Sequence, residues 1–201
     1  FTLVATVEQK LFHQLLERFA SLLLPRTEAI ARALPGRPWR IYGPEYASPP
    51  YLRPSLFREY VVRYDTPMID AIQRWGGFAR LHSHGRLKDI LDDIVEIGVD
   101  VMSPIETGLR GDVTLAEVKA RVGDHICLKG NLDDMAYLAL QSADEVRASA
   151  EDCIAQAAAG GGYILGPCHN LQAVSPVENV IAMYEAFSEY QIAQPAGPGG
   201  A

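Results

Sequence analysis

Cysteine is scarce in this chain: Cys127, Cys153 and Cys168 are the only three, and no two form a CxxC pair. An odd, widely spaced set is a poor disulfide framework for 201 residues, so a reducing compartment is expected. Long apolar runs are missing as well. Charges interrupt every stretch before the ~18 residues that a membrane span needs, and the start has no basic segment leading into an apolar one. Basic residues are too few to favour a phosphate backbone: 18 Lys and Arg stand against 25 Asp and Glu, a net charge of −7, with no basic cluster interleaved with aromatics. Neither a nucleic-acid nor a membrane partner is expected, and a cytoplasmic location is. No G-x-G-x-x-G follows a strand and no G-x-x-x-x-G-K-[ST] occurs, which removes the usual argument for a nucleotide-binding open sheet.

What is present is enough apolar material, 48 % of residues, for one substantial core. One domain over residues 1–192 is expected, with the Pro/Gly/Ala tail 193–201 disordered. The chain begins with Phe1 and runs almost at once into helix, so it reads as cut from something longer. Leu11, Phe12, Leu15, Leu16, Phe19, Leu22 and Leu23 mark one apolar helical face, which Pro25 should end before a second piece over Thr27–Leu34. Helices are also expected around Ser55–Tyr64, Met68–Trp75 and Leu87–Ile97. Three capping boxes, Thr114-x-x-Glu117, Ser142-x-x-Glu145 and Ser175-x-x-Glu178, announce three more.

Short apolar strands alternate with these helices: Trp39–Tyr42, Phe78–Leu81, Val99–Met102, His125–Lys129 and Tyr163–Leu165. Their polar ends, near Glu45, His84, Glu106, Asn131 and His169, lie 22 to 39 residues apart. That is the repeat of a (β/α)8 TIM barrel, of which about five βα units, a carboxyl-terminal portion, are present.

Reactive groups of such folds gather where parallel strands end. His82 and His84 are two apart, so both point to one face of their strand. With His169 and Cys168 they form the candidate metal ligands, a donor set that suits zinc. Glu106, Glu45 and Asp133 are the candidate catalytic acids, though Glu106 and Glu45 are equally placed to cap the helices that follow, and Asp133 or Asp134 is read first as capping a turn. Arg86, Asn131 and Asn170 are the candidate substrate-binding side chains. His13 and His125 fall away from these strand ends.

Two blocks carry a family resemblance: Gly130-Asn131-Leu132-Asp133, and Gly162-Tyr163-Ile164-Leu165-x-x-x-His169 followed by Ser175-Pro176-Val177-Glu178-Asn179-Val180. In these the chain resembles the uroporphyrinogen decarboxylase superfamily of (β/α)8 barrels, over about Trp39 to Glu185. The resemblance implies one of two chemistries. Uroporphyrinogen decarboxylases use no cofactor and bind an acidic tetrapyrrole; their late strand-end histidine matches His169, and their catalytic aspartate and arginines lie in amino-terminal strands. The cobalamin-dependent methyltransferase branch carries H-x-C and a later cysteine that together bind zinc. His82 matches the first ligand, His84 replaces the first cysteine, and His169 takes the position of the second, with Cys168 beside it. The methyltransferase-like reading therefore implies zinc of altered ligand type, a corrinoid as methyl donor, a corrinoid protein as partner and a small-molecule substrate. The alternatives are cofactor-free tetrapyrrole decarboxylation in porphyrin biosynthesis and a catalytically inactive binding barrel. Oligomeric state stays open, a homo-oligomer included.

Overall fold

A computed structural model of the protein describes residues 1–108 and 110–193; the tail expected to be disordered lies, from 194 on, outside the described residues. Five strands, β1 (Pro38–Ile41), β2 (Phe78–His82), β3 (Val101–Ser103), β4 (Cys127–Leu132) and β5 (Tyr163–Pro167), neighbour one another in chain order. Registered pairs are parallel, with Arg40 beside Arg80, His82 beside Ser103 and Met102 beside Leu128. Helices alternate with them: α1 (Thr2–Val7), α2 (Gln9–Ala33), α3 (Pro54–Phe57), α4 (Arg63–Arg74), α5 (Leu91–Ile97), α6 (Leu115–Val122), α7 (Ala143–Ala157) and α8 (Val177–Ala193). This is the five-unit α/β plan of part of a TIM barrel.

The chain forms two compact units, Phe1–Leu128 and Lys129–Ala201. In the first, strand alternation sets the faces. Ala79, Leu81 and Met102 are fully buried together with Leu56, Phe57, Ile69, Ile72, Leu87, Ile90, Ile94 and Ile97. Each such large aliphatic side chain contributes roughly 1.5–3 kcal/mol by leaving water. Arg80 and His82 take the opposite face of β2. Gly98, at φ 85°, ends α5 in the left-handed conformation that a side chain resists.

Two prolines lie inside helices, one of them, Pro25, expected to end its helix. Pro25 sits within the 25-residue α2, and Pro67 within α4. A proline removes only its own N–H and crowds one carbonyl, and tertiary packing of a long amphipathic helix outweighs that. The segment Arg58–Val62 is a π-helical turn joining α3 to α4 without interruption. The expected helix from Leu87 starts later, at Leu91, because Asp112 Oδ1 accepts the N–H groups of Leu87 and Lys88 at 2.8 and 3.1 Å in a turn.

In the second unit, Leu132, Leu138, Val146, Ala150, Ala182, Met183 and Ala186 form the core. Ser142 and Glu145 make the reciprocal capping box of α7, as Thr114 and Glu117 do for α6 in the first unit. Ser175 does not repeat it: its buried hydroxyl has no hydrogen-bond partner among the described residues. The N–H groups of Asn179 and Val180 go to the Pro176 carbonyl instead.

Candidate functional site

In the first unit the carboxyl end of β2 carries the His-x-His tip, and Ser83 between the two histidines fixes it. Its hydroxyl is buried and lies 3.0 Å from that of Ser48, which donates to the Pro44 carbonyl at 3.1 Å. The Ser83 N–H meets the Ser103 carbonyl at 3.1 Å. With the middle residue clamped on one face, alternation puts both imidazoles on the other.

The rings meet edge to face, with Nε2 of His82 and Nε2 of His84 2.9 Å apart. His84 Nδ1 lies 3.1 Å from Glu106 Oε1, and Glu106 Oε2 accepts the Gly85 N–H at 2.8 Å. Arg40, from β1, donates to His82 Nδ1 at 3.0 Å and lies over the Tyr42 ring at 4.1 Å. The same guanidinium nitrogen also lies 3.5 Å from His82 Nε2; a guanidinium can only donate, so on the shorter contact His82 Nδ1 accepts and its proton sits on Nε2. That proton faces His84 Nε2, whose other nitrogen then donates to Glu106. The shorter contacts order one chain, Arg40 to His82 to His84 to Glu106.

The hydrogen bond to Glu106 raises the His84 pKa, against burial, with Glu45 helping and Arg40 opposing. Burial pushes the Glu106 carboxyl upward, but the bonds from His84 and Gly85 outweigh it and the carboxyl stays below its ordinary value. Arg80 is lowered by burial first and by its neighbour Arg40 second. Glu45 holds the Gly43 N–H at 2.9 Å, and the Arg86 side chain is exposed.

In the second unit, Asn131 Oδ1 accepts from the Cys153 thiol at 3.4 Å, and burial raises that thiol's pKa. Asp133 caps a turn through the N–H groups of Met135 and Ala136, at 2.9 and 2.7 Å. Cys168, buried just past β5, donates its N–H to the Leu132 carbonyl at 2.6 Å. His169 follows it half-buried, and Asn170 is exposed.

Of the residues singled out in the sequence, the structure brings His82, His84 and Glu106 together in the first unit. The sequence did not single out Arg40, Ser48, Ser83 and Asp112, which contact that tip or the turn after it. Alternation along β2 pointed to Ser83; nothing local marked the other three.

Zinc fits this donor set in part. Two nitrogens of a tetrahedral zinc stand about 3.4 Å apart, a few tenths more than the His82–His84 separation of 2.9 Å. A carboxylate behind the second nitrogen of a metal-bound imidazole is the usual support, and Glu106 gives it to His84. His82 is the discordant member. Bound through Nε2, it would carry its proton on Nδ1, where Arg40 also donates. The guanidinium must leave that nitrogen for a metal to be held.

The family model for uroporphyrinogen decarboxylase matches residues 5–190. The chain belongs to the uroporphyrinogen decarboxylase family. Family members similar to it include the uroporphyrinogen decarboxylase of Coxiella burnetii, 26% identical over 144 residues, which are 70% of this chain and 38% of that protein. They also include the methylcobamide:CoM methyltransferase MtaA of Methanosarcina barkeri, 28% identical over 148 residues, 72% of this chain and 39% of that one. A solved methyltransferase from Methanosarcina mazei shares the fold, with a TM-score of 0.74 and 20% identity over 94% of this chain and 52% of its own. The chain thus spans about two fifths of its curated relatives and about half of the solved one. Among the described residues no helix is long and apolar enough to cross a membrane.

Proposed function

We propose that the protein works as a metal-dependent, methyltransferase-like enzyme of the uroporphyrinogen decarboxylase family, with His82, His84 and His169 as zinc ligands and Cys168 as the reserve donor. The observation that carries this reading is the convergence of His82 Nε2 and His84 Nε2 at a strand end, with Glu106 behind His84. Zinc supplies Lewis-acid activation of a thiol, alcohol or water near neutral pH. Around it, Glu106 fixes the ring orientation of His84, and Ser48 and Ser83 hold the tip rigid. A corrinoid carrier as methyl donor and a small-molecule acceptor complete the proposal. Glu45 and Asp133 are engaged in turns and stand by as acids, while Arg86, Asn131 and Asn170 remain the proposed contacts to substrate.

Metal analysis of the purified protein tests the proposal. Near-stoichiometric zinc, lost in His82→Ala and in His169→Ala, is expected; zinc in neither the protein nor a zinc-reconstituted sample ends it.

A second reading is favoured by Arg40. With its guanidinium on His82 Nδ1, the two imidazoles and Glu106 are satisfied as a hydrogen-bonded relay without metal. That is the state in which a cofactor-free decarboxylation would use them. Release of carbon dioxide from a tetrapyrrole carboxylate by chelator-treated protein would favour it over the first.

A further inference from the structure

Arg40 and Arg80 are register partners on adjacent strands, so both guanidinium groups leave the sheet on the same side, the side of His82. Parallel strands stand about 4.8 Å apart, which makes the two cations close neighbours. Like charges in that position cost free energy unless an anion joins them. None of the described residues does so: neither arginine has a carboxylate partner. The acids nearest the tip are committed, Glu106 to His84 and Gly85, and Glu45 to Gly43.

A second observation points the same way. Nε of Arg40 is buried and has no hydrogen-bond partner. A buried donor without an acceptor is destabilising, more so when charged, and such a group ordinarily marks a place that something else fills. One edge of this guanidinium is held over Tyr42 and against His82, so the group is fixed in position.

We propose that Arg40 and Arg80 together form the receptor for an oxyanion of the substrate, a carboxylate, sulfonate or phosphate, beside the His82–His84 tip. Two neighbouring forks on a rigid sheet give the planar, bidentate recognition that such groups require. The receptor fixes which end of the substrate faces the histidines: the anionic end lies over β1 and β2, and the reacting end lies toward His84 and Glu106. This goes beyond the metal reading and does not rest on it, since neither arginine needs a metal to bind an anion.

Calorimetric titration of the purified protein, in low-salt buffer with chelator, tests the receptor with three separate probes: glutarate, ethanesulfonate and inorganic phosphate. At least one is expected to bind one-to-one, with affinity falling as salt rises, and the preferred probe names the oxyanion. Arg40→Gln and Arg80→Gln should each weaken that probe by about tenfold or more, as loss of a charge-assisted hydrogen bond does. Arg80→Lys keeps the charge without the fork and should lie between. Arg32→Gln, on the exposed surface of α2, should bind as the parent does. Thermal melts show that each variant is folded before titration, and Arg80→Lys decides if Arg80→Gln is not. No heat from any probe up to about 50 mM, far weaker than the millimolar range of a modest site, overturns the receptor. Equal affinity in the parent and the folded arginine variants overturns it too. Because chelator is present throughout, absence of zinc from the protein leaves this result intact.

Discussion

Arg40 donates to His82 Nδ1 at 3.0 Å, across a separation of 42 residues in sequence. The contact sets the tautomer of His82, and through it the direction of every proton in the chain to Glu106. It also opposes metal binding twice, by its charge and by occupying the nitrogen that must carry the proton. Arg40→Met should therefore bind zinc more tightly than the parent, by about tenfold, within the range seen when the support of a metal ligand is altered. Competition against a chromophoric chelator measures it. Equal or weaker affinity would remove His82 from the ligand set.

Glu106 acts in the opposite sense. It accepts from His84 Nδ1 at 3.1 Å and from the Gly85 N–H at 2.8 Å, so it orients the ring and the loop beyond it. Glu106→Gln should lower zinc affinity by about 10–100-fold while changing the melting temperature little. Gly111→Ala should reach the same end by another route, because a methyl there would overlap the Glu106 carbonyl oxygen and push the residue aside. Unchanged zinc affinity in both variants would separate Glu106 from the metal.

How much of this was legible from sequence depends on the range of the interaction. The five strands, the His-x-His face and the boxes at Thr114 and Ser142 are set by residues two to four apart, and local pattern is enough to find them. Pro25 misled because its local penalty is real but smaller than the packing of the helix that contains it. Arg40 could not be found at all. Its partner is chosen by the register of β1 on β2, which places Arg40 beside Arg80 and within reach of His82, and no short-range signal fixes register. Ser48 and Asp112 escaped for the same reason, each acting on a strand end or turn 24 to 35 residues away.

The three candidate capping boxes differ in structure and should differ in energy. Ser142 accepts the Glu145 N–H, and its own N–H goes to Glu145, whereas the Ser175 hydroxyl is without a partner. Ser142→Ala should destabilise the protein by about 1 kcal/mol. Ser175→Ala should be neutral or slightly stabilising, since it removes an unsatisfied buried group. Urea denaturation of the two variants distinguishes them, and equal losses would mean that Ser175 caps α8 after all.

Asp65 on α4 gives a pH dependence whose sign can be worked out. Burial raises its pKa from 3.8 to about 7, and no cation pairs with it among the described residues. Below pH 4 the carboxyl is protonated in folded and unfolded chains alike and has no effect. Between pH 4 and 7 the unfolded chain releases the proton that the folded chain keeps, so stability falls as pH rises. Above pH 7 both forms are ionised and the full cost persists, up to about 4 kcal/mol for a shift of this size, and less to the extent that the half-buried carboxyl finds water. Asp65→Asn removes the titrating group while keeping its shape. The variant should match the parent near pH 4 and be more stable by an increasing margin up to pH 7, with a flat difference beyond. Urea midpoints measured from pH 4 to 8 give that difference directly; a margin that does not change with pH would show that folding leaves the Asp65 pKa where it is in the unfolded chain.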